Sequence, residues 1–147
     1  MSSPEATRLA RPVPVPDSTS AEYWRAAAEH VLTVARCSAC GALALPPDIV
    51  CVRCGSTTPA FAFVPVSGRG TIRSWTVMRQ SFLPGFADDV PFVLVDVELI
   101  EQRDLRVIGR LLDGPGVVLA AGAAVAVAFE DIRDGVAVPA FVLVEDA

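Results

Sequence analysis

The stretch "RCSACGALALPPDIVCVRCG", Arg36–Gly55, holds every cysteine of the chain as two Cys-x-x-Cys pairs with ten residues between them. Cys37 and Cys40 form one pair and Cys51 and Cys54 the other, each followed at once by a glycine, Gly41 or Gly55. Two tight turns so spaced aim four thiolates at one tetrahedral ion, as paired zinc knuckles do. A turn that folds its backbone N–H groups toward sulfur needs positive φ just after the second cysteine, where glycine carries no Cβ penalty. A disulfide within either pair would close a strained ring, and "MSSPEATRLARPVP" at the start holds no apolar signal segment, so oxidation and export are not expected. A thioredoxin-like redox pair would need a helix start inside an α/β pattern, which is missing. Structural zinc on Cys37, Cys40, Cys51 and Cys54 is therefore the expectation.

Working outward, 147 residues suffice for one core, or one core plus a small metal-stapled module. A ribbon over 35–60 is too short to hold by apolar burial, so zinc should supply its folding energy, on the order of 10 kcal/mol. Before it, "TSAEYWRAAAEHVL" from Thr19 reads as a short amphipathic helix within 18–34. Thr19 and Glu22 have capping-box spacing, and Trp24, Ala27, Ala28 and Val31 share a face. Residues 1–17 include "RPVPVPD" and read as a proline-punctuated tail, extended or disordered.

After the ribbon the period becomes strand-like. "FAFVPV" leads into "GRGTIRSWTVMR", "PFVLVDVELI", "LRVIGRLL", "AAVAVAFEDI" and "VAVPAFVLV", each bounded by glycine, proline or acidic turns. Val93, Val95, Val97 and Leu99 alternate with Asp96 and Glu98, as a half-exposed barrel strand requires. The predicted fold is mainly β: a short N-terminal helix, a zinc ribbon, then a five-stranded OB-fold barrel over 61–147. The longest apolar run, Gly116–Phe129, is too short to span a membrane and reads as two buried strands split at Gly122, so a soluble cytoplasmic protein is expected. The connection "QSFLPGFADDVP" carries Phe82, Leu83 and Phe86, three large apolar groups that suit a lid, a ligand wall, a docking surface or a plug over one barrel mouth.

Charge is uneven. All twelve basic residues are arginine; between His30 and Ala87 five arginines meet one acid, while from Asp88 onward twelve acids face four arginines. Four thiolates and one zinc ion carry a net charge of minus two, which offsets part of the basic excess. What remains suits a few phosphates and is weak for a duplex. Arg69 and Arg73 flank the tight turn in "SGRGTIRSW", either as a guanidinium clamp for phosphate or as a solvated strand end. The acid pairs Asp88-Asp89, Glu130-Asp131 and Glu145-Asp146 read as turn-solvating groups. With four cysteines committed to metal, a lone His30 at a helix end and no serine with an evident base partner, the chain offers no catalytic constellation of its own.

From Trp24 to Val144 the chain resembles the acyl-CoA-associated proteins that join a rubredoxin-like zinc ribbon to an OB-fold. The resemblance runs through Tyr23-Trp24, "RCSACG", Pro46-Pro47, "CVRCG", "SGRGTIRSWTV", "PFVLVDVEL", "VIGRLL" and "VAVAFEDI…VPAFVLV". It implies that Cys37, Cys40, Cys51 and Cys54 are zinc ligands. It also implies a non-catalytic subunit bound to a thiolase-superfamily enzyme: a thiolase, an acyltransferase, or a thiolase-like aldolase such as those of steroid side-chain degradation. In such a hetero-oligomer the partner holds the catalytic residues and acyl-CoA is a ligand of the complex. On physical grounds Trp24, Phe82, Leu83 and Phe86 are the candidate partner contacts, and Arg69, Arg73 and Arg79 the candidate contacts to the phosphates of CoA. The alternatives are a single-stranded nucleic-acid-binding OB-fold with Trp75 as a stacking platform, which the net charge of minus five disfavours, and a partner of a hydratase-type acyl-CoA enzyme.

Overall fold

The structure, a computed structural model, describes residues 3–145. Two short helices, α1 (Pro4–Leu9) and α2 (Ala21–Ala28), precede eight strands. Strands β1 (Thr33–Arg36), β2 (Leu43–Ala44) and β3 (Ala62–Pro65) form an antiparallel sheet in the order β2-β1-β3. Strands β4 (Arg69–Met78), β5 (Phe92–Leu99), β6 (Arg106–Leu111), β7 (Ala124–Arg133) and β8 (Val136–Leu143) close a barrel in the order β4-β5-β6-β8-β7. This is the predicted mainly-β architecture with its five-stranded OB-type barrel.

Alternation builds the barrel. Along β5, Val93, Val95, Val97 and Leu99 are buried while Asp96 and Glu98 lie on the outer face, each paired to arginine: Asp96 with Arg106 on β6 and Glu98 with Arg73 on β4. Ile72, Val107, Leu111, Val125 and Phe141 complete the interior, each worth about 1.5–3 kcal/mol on burial. The Phe141 ring lies against Gly109, where an added Cβ would stand 3.0 Å from it. A short parallel contact, Arg110 and Leu111 beside Ala140 and Phe141, closes the barrel. Leu32 and Val34 of the ribbon side join the same cluster, so ribbon and barrel share one core.

Several expectations are corrected. The helix expected over 18–34 spans only Ala21–Ala28, because His30 takes φ 61° and reverses the chain into β1. His30 N–H donates to the Ala27 carbonyl and Val31 N–H to that of Ala26, a Schellman closure with histidine where glycine is usual. The Thr19–Glu22 capping box does not form; instead Asp17 Oδ1 accepts from the amides and hydroxyls of Thr19 and Ser20 at 2.7–3.0 Å. Those hydroxyls, Ser20 first, hold the Asp17 carboxyl below its ordinary value. Ala62–Pro65, grouped by sequence with the barrel over 61–147, pairs with β1 in the ribbon sheet.

The tail over 1–17 is neither extended throughout nor unattached: Pro4–Leu9 is helical and docks on the barrel, where Arg133 donates to the carbonyls of Arg8, Leu9 and Arg11. Residues 1 and 2 of that tail, and residues 146 and 147, lie outside the described residues. The run Gly116–Phe129 yields one strand, not two. Residues 116–123 form a connection in which Val117 and Leu119 pack on the core while Val118 is fully exposed, because the Gly114-Pro115-Gly116 turn steers the backbone away from the sheet.

Candidate metal centre

The two knuckles are copies of one local geometry. Gly41 N–H donates to the Cys37 carbonyl at 2.9 Å and Gly55 N–H to the Cys51 carbonyl at 2.8 Å, with φ 77° and 76° at the two glycines. Outside each turn, Cys37 N–H meets the Ala42 carbonyl and Cys51 N–H that of Ser56. The positive φ expected from the Cys-x-x-Cys-Gly pattern is thus present in both turns.

All four sulfurs lie within 4.8 Å of one another and none is in a disulfide. Cys37 and Cys54 are 4.0 Å apart, Cys40 and Cys51 3.7 Å. A tetrahedral ion with Zn–S bonds of about 2.3 Å sets its sulfurs about 3.8 Å apart, so the cluster already has the dimensions of a closed structural zinc site. Cys37 and Cys51 are buried and Cys40 and Cys54 face solvent. Without metal, backbone N–H groups of Cys54 and Arg53 draw the Cys51 thiol down to about 6. At Cys40 the N–H of Ala42 favours the thiolate, but burial and the neighbouring thiols outweigh it and push the group up to about 11. The backbone N–H groups aimed at Cys51 thus favour its thiolate, the form that binds metal. Zinc, when bound, supplies tetrahedral crosslinking charge; these residues supply its geometry and leave no ligand position open.

A side chain that sequence reasoning missed orients this centre. Gln102, in the β5–β6 turn, accepts from Leu43 N–H at 2.8 Å and donates to the Leu43 carbonyl at 2.7 Å, standing in for a neighbouring strand along β2. Arg53 reaches the Arg103 carbonyl in the same turn. No sequence pattern links Gln102 to Leu43, because the contact spans 59 residues.

The other candidate residues are dispersed. Arg69, Arg73 and Arg79 run along β4 and past its end, about 30 Å from first to last at strand rise. Arg73 is bonded to Glu98 at 2.9 Å; Arg69 and Arg79 are exposed. They form no common cluster. Trp24 is half-buried, edge-on to Tyr23 at 4.8 Å, in a groove with Pro14, Pro16 and Val136. The loop between β4 and β5 divides: Phe82 is 90% and Leu83 58% exposed, whereas Phe86 lies under Arg11 and 6.0 Å from Phe92. Asp89 does more than solvate a turn, since it pairs with both Arg11 and Arg110. His30 stacks on Phe129 at 5.2 Å and bonds Asp131 at 2.8 Å. Trp75, on β4, is 42% exposed.

A rubredoxin-like ribbon joined to a closed OB-type barrel defines the class. Comparison with known proteins gives the same two parts: residues 24–60 match the rubredoxin-like zinc ribbon domain of ChsH2, and residues 63–130 match the ChsH2 C-terminal OB-fold domain. The chain therefore belongs to the ChsH2-type family that joins these two domains. Among solved structures it is similar to a chain of the Ltp2-ChsH2(DUF35) aldolase, with a TM-score of 0.75 and 27% identity over 88% of this chain and 98% of that one. Among curated proteins it is 34% identical over 95 residues to the probable enoyl-CoA hydratase alpha subunit of Thermomonospora curvata. That match takes in 65% of this chain but 28% of the relative, which is a much longer protein. No helix among the described residues is long and apolar enough to cross a membrane.

Proposed function

We propose that this chain is a non-catalytic accessory subunit of a thiolase-superfamily acyl-CoA enzyme, with a thiolase-like aldolase the preferred partner and acyl-CoA a ligand of the complex. The observation that carries this reading is the likeness to the Ltp2-ChsH2(DUF35) aldolase, which extends over nearly the whole of that chain. The residues support it as well. The sulfur cluster is closed by four protein ligands, and His30 is engaged by Phe129 and Asp131. A chain so built contributes shape, while the partner contributes the reacting groups.

Within this reading the partner contacts are assigned to Phe82 and Leu83, whose exposed side chains lose most water on docking. Trp24 and Phe86 are already half covered by this chain's own residues and rank below them. Arg69 and Arg79 lie too far apart to serve one CoA together, so one or the other is preferred over Arg73 for its phosphates, because Arg73 must first leave Glu98.

The test is co-expression in the native host with an affinity tag on this chain, in zinc-containing buffer, and identification of whatever elutes in fixed stoichiometry. A thiolase-fold polypeptide is the expected result. A hydratase-fold polypeptide would favour the second reading, which the Thermomonospora relative suggests. Elution alone, or with nucleic acid, would overturn the subunit reading.

A further inference from the structure

The N-terminal segment and the β4–β5 loop are fastened to each other by groups that neither the metal centre nor the proposed partner contacts use. Arg11 is 7% exposed, the one charged residue buried among those described. Its Nε donates to the Gly85 carbonyl at 2.8 Å, its guanidinium pairs with Asp89, and its plane covers Phe86 at 4.5 Å from the ring centroid. Thr7 adds a hydroxyl bond to Asp88 at 3.3 Å. From the barrel side Arg110 bonds Asp89 at 2.7 Å, lies 3.8 Å from Glu130 and covers Phe92 at 5.1 Å. The fit leaves no slack: a Cβ at Gly85 would stand 2.5 Å from Arg11 Cγ and 2.6 Å from the Thr7 carbonyl oxygen.

Neither element persists alone. A helix of six residues is too short to hold in water, and a buried guanidinium needs its carboxylate. The loop, for its part, has few backbone bonds of its own, chiefly Asp89 N–H to the Phe86 carbonyl. We propose that residues 4–11 are a latch: they hold 84–89 against the barrel with Phe86 beside Phe92 and leave Phe82 and Leu83 pointing outward. When the latch opens, the loop opens as one unit and uncovers Phe86 and Phe92, while the barrel stays closed. The apolar surface at this end of the molecule thus has two sizes, set by the chain's own N-terminus. The latch is a property of the isolated chain and does not rest on the partner reading.

Amide hydrogen exchange on the zinc-loaded full chain tests it, comparing the unmodified protein with Arg11→Ala and with Arg133→Ala. Arg133 holds the Arg8, Leu9 and Arg11 carbonyls without touching the loop. Both variants should exchange at least about tenfold faster across residues 82–90, with β5 and β8 unchanged, as a local opening requires. Unchanged loop exchange in Arg133→Ala would make the segment a passenger. Acceleration of β5 and β8 together with the loop, or outright unfolding of Arg133→Ala, would make it part of the global core. Either result overturns the latch.

Discussion

The ribbon and the barrel lie side by side in one molecule and are held by opposite means. Between Arg36 and Ala60 the buried residues are Cys37, Cys51 and Pro59, while Ile49 and Val52, at 84% and 80% exposure, point into solvent. In the barrel Ile72, Val95, Val97 and Phe141 are fully excluded from water. Apart from Leu43 and Leu45, which lean on the shared core, the ribbon leaves its large apolar side chains in solvent and places its cohesion in four sulfurs; the barrel encloses aliphatic and aromatic groups instead. A short segment with many turns cannot enclose aliphatic side chains, but it can aim thiolates at one point.

The strongest way to break this contrast is to remove the metal. Chelation, or Cys51→Ser, should withdraw binding energy on the order of 10 kcal/mol and abolish exchange protection at Cys37, Gly41 and Gly55. Val95 and Val97 should remain protected; simultaneous melting of β5 would mean that the shared core through Leu32 and Val34 makes the two regions one cooperative unit. The converse experiment is Phe141→Ala. It should cost about 3–5 kcal/mol in denaturant unfolding, with one zinc per folded chain retained.

Gln102→Ala probes the seam. It strands the N–H and carbonyl of Leu43, an expected loss of about 1–3 kcal/mol. The ribbon amides should loosen more than those of β7, as measured by exchange.

Acid should separate the regions in order. Zinc leaves first, as thiolates bind protons in competition with the metal. Asp89 responds later: burial alone would raise its carboxyl, but the hydrogen bonds and charges of Arg110 and Arg11 prevail and hold it below 3.8. Its stabilisation is complete above 3.8 and is lost as pH falls through the depressed folded value. A pH titration followed by zinc release and by loop exchange should therefore show two steps, and a single step would erase the contrast. The smallest effects on stability belong to the exposed groups, Phe82→Ala and Ile49→Ala, each within about 0.5 kcal/mol for the free chain. Whichever of the two weakens a partner complex assigns docking to the loop or to the ribbon.

How much was legible depended on distance along the chain. The four cysteines and the turn glycines occupy nineteen consecutive residues, Cys37–Gly55, so their spacing alone carries the geometry. The alternation of Val93 to Leu99 likewise reports which face is buried, because the strand period is local. Reading failed where a local signal met a distant competitor. Thr19 and Glu22 had the spacing of a cap, yet Asp17 took the hydroxyls. The proline-rich tail looked unattached because nothing near it in sequence announces that Arg133 collects three of its carbonyls.

Sequence by itself determined which four cysteines converge, the fold class and the faces of the main barrel strands, since each rests on a repeat a few residues long. Only the tertiary structure decided that Gln102 orients the ribbon, that Arg11 and Arg110 enclose Asp89, and that Phe82 is exposed while Phe86 is held. Those outcomes depend on partners 21 to 78 residues away, and polar pairings at such range follow from where the chain has been brought by its core and leave no periodic trace along it.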